Sequence, residues 1–65
     1  MTYHVVPRGS VWDVRPEGGG KDAVSNLPNK TSAVNTARGF LMNKGGGNIC
    51  IHNETGFDEW IEVKV

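Results

Sequence analysis

Three residues of this chain are best suited to chemistry near neutral pH: His4, His52 and the single cysteine, Cys50. An imidazole takes up and releases a proton in that range and is a common metal ligand, while a thiol beside an imidazole can become a nucleophile. His4 falls in the alternating run 3–7 and His52 follows Ile49, Cys50 and Ile51. If the two strands pair, both rings lie side by side on one sheet face, and Cys50 alternates onto that face with His52. Spacing along the chain places no third metal ligand and no orienting carboxylate beside them. One cysteine and two histidines at remote positions match none of the zinc-ligand spacings. The expectation is therefore two rings packed on the sheet and a small buried thiol, with no metal and no cofactor.

Other chemistries find less. Ser10, Ser25 and Ser32 sit in no nucleophile motif. The runs Gly18 to Gly20 and Gly45 to Gly47 lack the Gly-Lys-Ser/Thr ending of a phosphate loop and do not join a strand to a helix start. A chain of 65 residues also has little depth for a pocket of several hundred cubic ångströms. No catalytic residue is expected, and the reading is of a non-enzyme.

The elements that would carry these residues are legible from pattern. Residues 3–7 and 11–15 alternate β-branched and aromatic residues with polar ones, the signature of strands buried on one face. Trp12 shares the core side with Val14. A weaker strand over 22–27 follows the breaker at 16–20. Asn29 after Pro28 caps a helix whose inner face carries Ala33, Val34, Ala37, Leu41 and Phe40. Lys44 in the last turn and Gly45 beyond it mark the stop, and Gly39 is expected to let the helix lie close on the sheet. Residues 48–65 read as a second hairpin turning at 53–56, with Phe57, Glu59, Ile61, Val63 and Val65 toward the core and Asp58, Trp60, Glu62 and Lys64 away from it. The fold class is α+β in the order β-β-(β)-α-β-β: a small antiparallel sheet of four to five strands, one helix on one face, and a single domain over 1–65.

Composition bounds the setting. At 65 residues burial barely exceeds ordering entropy, and one cysteine forms no intrachain bridge, so association is the remaining staple. No signal-peptide pattern and no membrane-length apolar run occurs. A soluble, cytoplasmic protein with no membrane partner is expected. Net charge is zero, yet residues 1–44 hold six basic against three acidic side chains and residues 45–65 hold one against four. Such segregation suits a polyanion-binding face, a head-to-tail contact, or simply a solvated surface.

Two binding readings follow. In the first, the chain is a protein-interaction module that forms a homodimer or binds a protein partner through its last strand. Trp60 is an aromatic anchor, Asp58 and Glu62 form its polar rim, and Ile61 joins the contact. In the second, nucleic acid is bound by a basic first hairpin through Arg8, Arg15 and Lys21, against which stands a neutral overall charge.

The ordered set Tyr3-His4-Val5-Val6-Pro7, Trp12-x-Val14, Ala33-Val34 with Ala37-Arg38, Ile49-x-Ile51-His52 and a Gly56 turn resembles a small bacterial and phage family. That family is a domain of unknown function whose members begin with YHVVP-like strands and carry an IHG-type motif late in the chain. The resemblance spans nearly the whole sequence and implies one compact α+β domain, often a stand-alone protein, with no named catalytic residue. Asn53 stands where the family tends to have glycine, and the tail over 58–65 is longer and more apolar than its usual one. The second departure points to added work for the last strand. Occurrence in phages also allows an inhibitor of a host protein, its acidic 58–62 segment meeting a basic surface.

Overall fold

A computed structural model of the chain describes residues 1–20, 23–53 and 55–65. Among these described residues five strands and one helix follow in order: β1 (Thr2–Arg8), β2 (Val11–Pro16), β3 (Val24–Leu27), α1 (Lys30–Asn43), β4 (Gly47–Ile51) and β5 (Glu59–Val63). They form one sheet in the order β3-β2-β1-β4-β5 with the helix across one face. The α+β class and the element order are those expected from the sequence. The sheet itself is mixed rather than wholly antiparallel, because β1 and β4 run parallel at its centre, pairing Tyr3 with Ile49, His4 with Cys50 and Val5 with Ile51. A strand-helix-strand crossover is what allows two parallel neighbours. Of the expected 22–27 strand, residue 22 lies outside the described residues and Val24–Leu27 is formed.

Proline tolerance in a central strand has a geometric reason here. Val5 accepts the amide of His52 at 2.8 Å, so the odd positions of β1 aim their backbone groups at β4. Pro7 comes after β4 has ended, and its missing N–H leaves no partner unserved.

The core is the helix-facing side of the sheet: Tyr3, Val5, Val14, Ile49, Ile51 and Val63 close on Ala33, Ala37 and Leu41. Trp12, Val34 and Phe40 pack at its margin, half-buried. The Tyr3 and Phe40 rings stack with centroids 5.5 Å apart. Asn29 caps the helix as expected, accepting from the Ser32 amide at 2.8 Å. At the other end Lys44 is the cap residue rather than part of the last turn, and Gly45 takes φ +89°. Gly39 does not face the sheet: a methyl added there meets nothing within 4 Å. On β5 the inward side is shorter than alternation suggested. Val63 is buried and Ile61 half-buried, but Phe57 and Val65, outside the strand's ends, are 80% and 77% exposed.

Candidate functional site

The helix covers one side of the sheet and leaves the other open, and the residues with chemistry lie on the open side. Cross-strand register sets out one row of it: Arg15 beside His4, His4 beside Cys50, Cys50 beside Trp60. His52 follows Cys50 two positions on, the same side of the chain.

In the middle of this row His4 Nδ1 stands 3.0 Å from His52 Nε2, the rings inclined by 28° and meeting edge to edge with centroids 5.2 Å apart. Each ring turns its other nitrogen to a carboxylate. His4 Nε2 lies 3.5 Å from Glu17 Oε1, and His52 Nδ1 lies 3.3 Å from Asp58 Oδ1. Cys50 is buried beneath them, and the ligand atoms of His4, Cys50 and His52 all lie within 4.8 Å of one another. Burial, with the Asp58 carboxylate beside it, pushes the Cys50 thiol above its ordinary range. The fold thus supplies the two orienting carboxylates that chain spacing did not, and brings the Cys50 sulfur, which alternation already puts on this face, within 4.8 Å of the ring nitrogens. Parallel pairing of β1 with β4 closes the 48-residue separation between the rings. Glu17 and Asp58 come from the segments that follow β2 and precede β5.

One side of this centre is occupied by a charge cluster. Arg8 Nε donates to Asp13 Oδ2 at 2.8 Å, a second Arg8 nitrogen donates to Asn26 at 2.8 Å, and Arg15 stands 3.6 Å from Asp13. Arg8 beside it is the main cause that holds the Asp13 carboxyl below the usual carboxylate range. Two of the three proposed nucleic-acid contacts, Arg8 and Arg15, therefore share a buried counter-ion, and Lys21 lies outside the described residues. Asp13 itself was hidden in the sequence, where alternation made it one more solvent-side residue of β2. Its signal was the pair of arginines two and five positions away.

On the other side stands Trp60, 63% exposed and turned from the helix as expected. Asp58 and Glu62 flank it on the same side and Ile61 points inward, half-buried against the core. β5 is the last strand of the sheet. Because Asn48 and His52 donate toward β1, the odd residues of β4 face β5, so Ile49–Ile61 and Ile51–Glu59 exchange its ladder bonds. The backbone N–H and C=O of Trp60 and Glu62 then aim outward. Across the molecule, a groove lined by Lys30, Thr31, Val34, Asn35, Arg38, Ile51, Glu59 and Ile61 runs between helix and β5. The Lys30–Glu59 ion pair at 2.8 Å sits in it.

Residues 3–57 match the family model of an uncharacterised protein conserved in bacteria (DUF2188). The chain belongs to this family. The matched stretch includes His4, Cys50 and His52 and stops short of β5 and Trp60. No curated protein and no solved structure matches the chain. Among the described residues no helix is long and apolar enough to cross a membrane.

Proposed function

We propose that the domain is a non-enzymatic protein-interaction module that pairs with a second copy of itself along β5. The observation that carries this reading is the outward row of backbone groups at Trp60 and Glu62, on an edge strand beside an exposed indole. Open edges of this kind recruit another strand unless something blunts them. The opposite edge is blunted: β3 has four residues, its pairing with β2 shifts register, and Asn26 takes φ +62°.

The sequence of β5 is self-complementary for antiparallel pairing about Ile61. In that register Trp60 meets Glu62 of the second copy through outward backbone bonds, Asp58 meets Lys64, and Phe57 meets Val65. Opposite charges fall opposite, and the exposed apolar residues meet one another. Family matching ends at Phe57, so all of the proposed contact except that residue belongs to the part of the chain beyond the match. The reading also holds the domain to be cytoplasmic, since its cysteine is a free buried thiol, the form a reducing compartment maintains. Nucleic-acid binding has weaker support, because Asp13 offsets the charge of Arg8 and Arg15.

Sedimentation velocity over a concentration series tests the pairing. The parent is expected to dimerise in the micromolar range, and Trp60→Ala to weaken it by about 2 kcal/mol, roughly 30-fold in Kd. Glu62→Pro removes an outward N–H that β4 does not use, so it should abolish the dimer while the fold persists. A parent that stays monomeric at several times that concentration, or a Glu62→Pro chain that dimerises like the parent, refutes the reading.

A further inference from the structure

We propose that His4 Nδ1, His52 Nε2 and the sulfur of Cys50 bind one zinc-class divalent cation within a single chain, the fourth position being left to water. The two inward nitrogens point at each other across 3.0 Å, and the outward ones face Glu17 and Asp58. With the carboxylates holding protons on the outward nitrogens, the inward pair presents two lone pairs to one point. A cation placed there takes both lone pairs, whereas in the metal-free chain one inward nitrogen donates to the other. Carboxylates behind ligating imidazoles are the usual outer shell of such sites, fixing tautomer and ring orientation.

Distances and access agree with this assignment. A tetrahedral ion with bonds of about 2.0–2.3 Å holds neighbouring ligand atoms roughly 3.3–3.8 Å apart. Here the nitrogen pair is at 3.0 Å and no pair exceeds 4.8 Å, so small side-chain rotations close the set. His4 and His52 keep 26% and 37% of their side-chain surface in solvent, which leaves an entry path above the buried sulfur. Two imidazoles and one sulfur favour a borderline-soft ion over calcium or magnesium, which take oxygen ligands. On binding, the thiol proton leaves to solvent and the sulfur ligates as thiolate, while each neutral ring carries its one proton on the outward nitrogen.

The test is a titration of the reduced full chain with Co2+, followed by Zn2+ competition. One equivalent per chain is expected, with a sulfur-to-cobalt charge-transfer band that Zn2+ abolishes. Cys50→Ser should lose the band and His4→Gln should lose tight binding. Glu17→Gln, on an exposed side chain, should keep the band and weaken binding by about 10–100-fold. That variant keeps the test decisive if replacement of the buried Cys50 unfolds the chain. Running the series also on Glu62→Pro separates this site from strand pairing, and one equivalent per chain is expected there too. Absence of saturable binding, half an equivalent per chain, or unchanged affinity in both His4→Gln and Glu17→Gln overturns the assignment.

Discussion

A methyl group added at Gly47 should cost this domain much of its stability, whereas the same methyl at Gly39 should cost nothing. Gly47 opens β4 with φ +154°, and a Cβ built there collides with the carbonyl oxygen of Met1 and falls 2.8 Å from Leu41 Cδ2. The first neighbour is backbone, and it is the acceptor of the Asn48 amide at 2.9 Å, so it cannot swing aside without loosening the β1–β4 junction. Unfavourable backbone conformation adds about 1–3 kcal/mol and overpacking another 1–3 kcal/mol. A loss of roughly 2–6 kcal/mol results, against a total of about 3–10 kcal/mol for a domain of this size. At Gly39 the helix is regular and the space is open, and alanine should gain about 1 kcal/mol. Thermal unfolding by circular dichroism reads both. Gly47→Ala should melt more than about 10 °C below the parent and Gly39→Ala a few degrees above it, at roughly 4–8 °C per kcal/mol. Gly47→Ala melting within a few degrees of the parent would refute the close approach at the head of β4.

Leu41→Ala empties the centre of the helix face, where the side chain is fully buried, and should cost about 2–5 kcal/mol; an unchanged urea midpoint would contradict that packing. Acid should act through Asp13. Its carboxyl is held below the ordinary range, so its contribution is complete above an unfolded value of about 3.9 and is lost as pH falls through the folded one. The gap in urea midpoint between the parent and Asp13→Asn should therefore narrow from neutral pH to below about pH 3, and a gap that stays constant would mean the ion pairs with Arg8 and Arg15 contribute little.

How far the sequence carries depends on which interactions are local. The cap at Asn29, the stop at Gly45 and the buried Ala33, Ala37 and Leu41 are written in short-range pattern, and the structure has them there. Trp60 is turned from the helix because period-2 alternation is enforced by the pleat. The same alternation failed at Phe57 and Val65, since it runs on past the ends of β5, where no helix surface remains. Pairing partners were the larger gap. A strand's pattern says which side faces the core but not which neighbour it takes. The parallel β1–β4 contact is therefore not legible, and the sequence puts His4, Cys50 and His52 on one face only on the condition that these two strands pair. Glu17 and Asp58 reach the cluster from between strands, where no periodicity marks a side chain's direction.

The placing of β1 between β2 and β4 has a consequence for how the chain is made. During synthesis β1, β2, β3 and the helix emerge before β4 exists, so for that interval β1 has one satisfied edge and one open slot. The slot is lined by Tyr3 and Val5, and it closes only when a segment more than forty residues later arrives; such non-local closure is slow. Nothing in the slot distinguishes its own β4 from that of another copy. At high concentration refolding should therefore yield exchanged dimers, each copy lending β4 and β5 across the Gly45–Gly46 link. Those dimers would survive Glu62→Pro and dissociate only through unfolding, unlike dimers joined along the outer edge of β5.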